Sequence, residues 1–163
     1  MHRFSAQSAV ELQQFISDYW HELDANQAAG VTDFYHEDCS FTAGEFYSAT
    51  GKAGVQRFYD ERAAHVARER ASTRTTRHCY ANLRLAFEND DSVRADFVMI
   101  NYSGAGHPPI AGFTGPSMVS DIAWTCRRDA AGQWKISTFV GTPLFIAPED
   151  FTQGFLNRDW SAE

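Results

Sequence analysis

Asp24 and His78 are the pair in this chain best suited to moving a proton. Asp24 stands at the end of an amphipathic N-terminal segment, where a carboxylate opposes the negative end of a helix dipole. His78 opens the run Arg77-His78-Cys79-Tyr80-Ala81-Asn82-Leu83-Arg84-Leu85-Ala86-Phe87, which reads as a β-strand. If the two meet inside an apolar cavity, the carboxylate accepts from one ring N–H and fixes the tautomer. The other ring nitrogen is then left as a base working near neutral pH. A carboxylate a few Å away raises a histidine pKa while burial lowers it, so a value near neutrality is attainable. Each residue also has a plain structural reading. Asp24-Ala25-Asn26-Gln27 fits a cap for a following helix, and a strand histidine can be a satisfied core residue.

The other chemistry-bearing residues do not gather. His2, His21, His36, His65, His78 and His107 never fall at His-x-x-x-His spacing, and the nearby thiols show no paired ligand geometry. No metal site is expected. Gly104-Ala105-Gly106 lacks the strand-to-helix context of a phosphate loop, and no Ser or Cys nucleophile elbow is present. No cofactor is expected either. Cys39, Cys79 and Cys126 are odd in number, far apart and set in apolar segments, which predicts buried thiols in a reducing, cytoplasmic compartment. Met1-His2-Arg3-Phe4-Ser5 has no apolar run behind it, and no window approaches the ~18 apolar residues of a membrane span. A net charge of −7 argues against nucleic acid and anionic membrane as partners. Arg68, Arg70, Arg74 and Arg77 are a local exception, read as a solvated helix end or a subunit contact.

The elements that must position the pair follow from periodicity. Leu12, Phe15, Ile16, Tyr19, Trp20 and Leu23 recur at helical spacing, with Asp24 beside Trp20 at the edge of their stripe. A short second helix is expected over 26–35, strands over 39–42 and 45–49, and a charged helix over 52–70. Val55, Phe58, Tyr59 and Val66 form the inner face of that charged helix. The second half reads as strands over 73–87, 92–102, 118–128 and 133–139, two of whose connections are short polar hairpin turns. Alternation puts Thr76, His78 and Tyr80 on one face of the first of these. The loop 103–116, with four glycines and three prolines, suits a pocket rim or a subunit contact. Helices followed by long strands make an α+β domain, expected to span 1–163 with its core at about 8–146. The tail 147–163 would cover the barrel or a neighbouring subunit.

At this point the residues resemble a known group. Leu23-Asp24 closing helix one, the Arg-His-x-x-x-Asn-Leu-Arg-Leu-x-Phe strand, and Gly132-Gln133-Trp134-Lys135-Ile136 opening the last strand resemble the nuclear transport factor 2-like (cystatin-like α+β) superfamily. Within it they resemble the SnoaL-like branch, with scytalone dehydratase and lindane dehydrochlorinase. The resemblance implies a cone-shaped α+β barrel, N-terminal helices packed on a strongly curved antiparallel sheet enclosing a pocket. It also implies that Asp24 and His78 form a catalytic dyad. Tyr19 matches a tyrosine that donates to substrate oxygen in the related ketosteroid isomerases. Two features of the branch lack counterparts: the second histidine of scytalone dehydratase and the late-strand arginine of the dehydrochlorinase.

The expectation is therefore a cofactor-independent lyase, dehydratase-like or aldehyde-eliminating, on a small hydrophobic aromatic or polyketide-like molecule. Isomerisation and cyclisation use the same proton chemistry. His78 would be the base, Asp24 its orienter and Tyr19 an acid or oxyanion donor. Trp20, Phe41, Tyr47, Phe97, Met99 and Asn101 would line the substrate pocket. A homodimer or homotrimer is expected, because the outer face of the sheet needs cover. The alternatives are a non-catalytic subunit like the β chains of aromatic-ring-hydroxylating dioxygenases, whose strand also resembles Arg77-His78, and a small-molecule binding module.

Overall fold

Leu12, Ile16, Tyr19, Trp20 and Leu23 are the buried stripe of helix α1 (Ala6–Ala25). The structure is a computed structural model that describes residues 6–113, 115–148 and 154–160. The segment Met1 to Ser5 and parts of the tail, 149–153 and 161–163, lie outside the described residues. The short helix expected over 26–35 does not form as an α-helix. Gln27 and Ala28 take positive φ values of 54° and 65°, which end a right-handed helix. Glu22 closes the turn, its carboxylate accepting from the Gly30 N–H at 2.6 Å and the Asn26 amide at 2.6 Å. Only a 3₁₀ turn, Val31–Phe34, forms before the first strand.

The remaining elements are β1 (Tyr35–Ala43), β2 (Tyr47–Thr50), α2 (Gly51–Ala67), β3 (Arg74–Asn89), β4 (Ser92–Ala105), β5 (Met118–Arg128) and β6 (Trp134–Ile146). The strands form one six-stranded sheet in the order β2-β1-β6-β5-β4-β3. The sheet is mixed rather than wholly antiparallel, because β1 and β6 run parallel. Five elements lie between those strands in sequence, enough chain for the crossover a parallel pair requires. The edges β2 and β3 do not pair, so the curved sheet is open and is not a closed barrel. The helices lie on it, α1 touching β3 and α2 touching β1 and β2.

Two irregularities matter for the site. On β3 the inward residues are Thr76, His78 and Tyr80, and then Leu83, Leu85 and Phe87. The parity changes at a bulge between Ala81 and Arg84, where Asn82 has a φ of 57°. One extra residue there lets His78 and the distal apolar run share a face. Cys79, on the opposite face, is exposed, whereas Cys39 and Cys126 are buried. The expectation of three buried thiols fails at Cys79 because strand alternation turns it outward. The second irregularity is the length of β6, which runs on past the expected end at 139, its residues 142–146 pairing with β5. Beyond it, Phe155 and Leu156 are buried and Trp160 stacks on Phe58 with ring centroids 5.5 Å apart. The described part of the tail thus lies over α2 of its own chain. Among the described residues no helix is long and apolar enough to cross a membrane.

Candidate active site

Asp24 and His78 meet. Asp24 sits in the last turn of α1, and His78 lies on β3, an edge strand whose outer N–H groups have no strand to bond. The Asp24 carboxylate takes two donors from this one residue. His78 Nδ1 lies 2.7 Å from Asp24 Oδ1, and the His78 main-chain N–H donates to Oδ2 at 2.8 Å. Both side chains are only 9% exposed, so water competes little for these bonds. The Trp20 indole stacks on the imidazole, with centroids 4.8 Å apart and planes 19° apart. Ring position, tilt and tautomer are therefore all set from α1. An ionised carboxylate can only accept, so Nδ1 carries the proton and Nε2 is left with its lone pair. The capping alternative for Asp24 is not realised, since Glu22 closes that turn instead.

The electrostatics favour this charge state. Burial pushes the His78 pKa down, the hydrogen bond and charge of Asp24 oppose it, and the Arg62 guanidinium adds to the depression; the net is a lowered value. The imidazole is thus neutral at neutral pH and able to accept a proton. Burial raises the Asp24 pKa, but the His78 ring bond and charge, the His78 main-chain N–H and the Thr76 hydroxyl outweigh it and hold the carboxyl below its ordinary value. The two bonds from His78 need no charge on the ring, so the ionised carboxylate and the neutral imidazole are compatible.

His78 opens on a cavity of about 120 Å³ between the sheet and the two helices. Of the residues expected around a substrate, Trp20, Phe41, Met99 and Asn101 line it. Three others do not. Tyr19 is wholly buried behind the wall, because five helical residues before Asp24 lies about 140° around the helix. Its hydroxyl bonds those of Tyr35 at 2.8 Å and Tyr59 at 2.7 Å. Phe97 packs behind the wall between Trp20, Tyr80 and Trp124. Tyr47 faces Trp160 and donates to the Gly54 carbonyl at 2.7 Å. The phenol that does border the cavity is Tyr59, on α2. Burial raises its pKa to about 12, so it stays protonated.

The sheet side of the cavity is polar in a strip. His78 pairs with Asn101 across β3 and β4, Thr76 with Ser103, and Met99 with Ser120 across β4 and β5. Asn101 Oδ1, Ser103 Oγ and Ser120 Oγ are buried and make no hydrogen bond among the described residues. Sequence reasoning found Asn101 and missed both serines. Same-face parity with Met99 and Asn101 would have found Ser103. It also missed Arg62, which lines the cavity from α2. The signal there was positional: Arg62 follows Val55, Phe58 and Tyr59 at seven, four and three residues, on the inner stripe of the helix.

Residues 5–140 match the model of the SnoaL-like domain. The chain belongs to this family. Solved structures agree with the fold. A scytalone-dehydratase-like protein from Novosphingobium aromaticivorans is 16% identical, with a TM-score of 0.68 over 85% of each chain. A hexachlorocyclohexane dehydrochlorinase of type 2 is 19% identical, with a TM-score of 0.67 over 88% of this chain and 89% of that one. A cystatin-like protein of unknown function from Nostoc punctiforme is 13% identical, with a TM-score of 0.68 over 90% of this chain and 98% of that one. At such identities the likeness speaks for the fold, which is the cystatin-like one. A comparison with curated proteins gives no match.

Proposed function

We propose that this SnoaL-like protein is a cofactor-independent lyase of the dehydratase type, acting on a small hydrophobic, oxygen-bearing ring compound. The observation that carries the reading is the two-point hold of Asp24 on a neutral His78 whose ring borders the cavity. His78 Nε2 removes a proton from carbon beside an activating group, or from a hydroxyl. The electron pair of the broken bond stays on the substrate and expels hydroxide from the neighbouring carbon. The imidazolium, stabilised by Asp24, returns its proton to the departing hydroxide, so water leaves and the base is restored. No oxidant or reductant enters this balance. The same transfer without expulsion would isomerise the substrate. The cavity suits one ring in scale, since an apolar cavity of ~150 Å³ holds benzene. That two structural neighbours are a scytalone-dehydratase-like protein and a dehydrochlorinase is consistent with elimination chemistry on this fold.

The test uses 5-nitrobenzisoxazole, whose ring opens when a base removes its one reactive carbon-bound proton. The unaltered protein should open it faster than free imidazole at equal concentration, and His78→Ala should return the rate to background. A His78→Ala rate within a few-fold of the unaltered protein would overturn the base assignment.

A further inference from the structure

Among the described residues Arg62 has no partner that accounts for its charge. Among the described residues it is the one charged side chain on the cavity wall, where the His78 ring is neutral. The acids near enough to affect it are Asp24 and Glu69, with the Tyr59 phenol alongside. Asp24 already accepts two bonds from His78. Glu69 lies 3.7 Å from the buried guanidinium of Arg74. Tyr59 stays protonated and exchanges its hydrogen bond with Tyr19. Among the described residues the cavity therefore keeps one positive charge uncompensated, inside a chain whose net charge is −7. A half-buried guanidinium with no acceptor among the described residues is unfavourable for folding, since withdrawing a charge from water is costly unless it is paired. A ligand is the acceptor the arrangement lacks.

The opposite wall constrains the ligand further. Asn101 Oδ1, Ser103 Oγ and Ser120 Oγ form their unbonded strip on β4 and β5, facing α2 across apolar Phe41, Met99 and Phe139. We propose that Arg62 is an anion site, and that the substrate is a ring bearing an acidic oxygen, a phenol or enol, which Arg62 holds as the oxyanion while further ring oxygens bond Asn101, Ser103 and Ser120. This deepens the reading of His78 as base and rests on it for the word substrate. The proton leaves for His78 Nε2, the electron pair settles on oxygen, and the guanidinium meets that charge with N–H donors in a fork. Nothing else is consumed.

Binding measurements with 4-nitrophenol and nitrobenzene test the assignment, because the two probes differ in the acidic oxygen. The unaltered protein should bind 4-nitrophenolate ~10-fold or more tightly than nitrobenzene, as expected for a charge-assisted bond. Arg62→Met should lose that preference and His78→Ala should keep it. Equal preference in Arg62→Met and the unaltered protein would overturn the anion site. Should Arg62→Met not fold, the ionisation of 4-nitrophenol bound to the unaltered protein decides by its absorbance. A midpoint below that of the probe in water supports the site, because a nearby cation favours the charged form. A midpoint at or above it overturns the site, because burial alone disfavours that form. The base reading fails separately, through the benzisoxazole rate of His78→Ala.

Discussion

Asp24 holds His78 by its main chain and its ring together, at 2.8 and 2.7 Å, so the edge of β3 and the tautomer of the base are fixed by one carboxylate. Both oxygens accept and neither can be replaced by a donor. Asp24→Asn presents one acceptor and one NH₂, so one of the two His78 N–H groups faces another donor. Turnover should fall by ~10²–10⁴, the usual contribution of a positioned acid or base. The acid limb of the rate profile should also move to lower pH, because removing the carboxylate removes the charge that opposes the depression of the His78 pKa. A rate–pH profile of the variant on 5-nitrobenzisoxazole checks both. An acid limb that moves upward would contradict the assigned direction.

Stability should depend on pH through the same pair, with one sign. His78 is held below its ordinary 6.5 and Asp24 below its ordinary 3.8. Between each folded value and its unfolded one, the unfolded chain binds more protons, so acid favours unfolding. The protein should be fully stable above the ordinary histidine value and lose stability as pH falls from about 6.5 through the folded value of His78. A second loss follows below 3.8 as Asp24 protonates. Urea midpoints measured across this range test it. His78→Phe should flatten the first decline and weaken the second loss too, because the ring bond and charge that oppose the effect of burial on Asp24 go with the ring; an unchanged slope between pH 6.5 and the folded value of His78 in that variant would reassign the first decline.

The stripe of α1 and the strands of the second half were legible because each keeps its period over a long run, the bulge on β3 excepted. The proximity of Asp24 and His78 was legible too, since an acid at a helix C-terminus and a histidine leading a strand both need an explanation. What escaped was set by tertiary context. The helix expected over 26–35 fails at Gln27 and Ala28, ordinary residues held at positive φ while Glu22 bonds the turn. The parallel pairing of β1 with β6 joins distant segments and leaves no local mark. Tyr19 and Tyr59 look equally placed as phenols, and only tertiary packing decides that Tyr59 borders the cavity. Arg62 was readable as a charge on an apolar stripe, yet a helix with many charges hides one more.

The three tyrosines separate structure from chemistry. Tyr19 is the middle of the chain Tyr35–Tyr19–Tyr59, and all three rings are buried. Tyr19→Phe leaves two buried hydroxyls each short of a partner, which should cost about 1–3 kcal/mol. Because Tyr19 does not reach the cavity, turnover at a temperature where the variant is folded should stay within a few-fold of the unaltered protein. Tyr59→Phe removes the hydroxyl that borders the cavity and should lower turnover more than Tyr19→Phe does. Denaturation curves beside benzisoxazole rates give both readouts; the reverse order of the two rates would restore Tyr19 as the donor.

Asn82 tests whether the bulge on β3 positions the base. Its φ of 57° lies in the left-handed region, where Asn and Gly are tolerated and a β-branched residue is strained. Asn82 is exposed, so its side chain contributes little packing and backbone conformation dominates the effect of replacing it. Asn82→Gly should keep stability within about 0.5 kcal/mol, a surface change without strain. Asn82→Val should cost about 1–3 kcal/mol, the range for a residue forced into a sparsely populated conformation. If β3 relieves that strain by losing the bulge, the parity of one half of the strand reverses, and either His78 or the run Leu83, Leu85 and Phe87 turns outward. The variant should then lose the His78 contact with Asp24 in proportion to its loss of stability, which the His78 ring signals in an NMR spectrum report directly. A valine variant with unchanged stability and unchanged ring signals would mean that the bulge is not what aims the base.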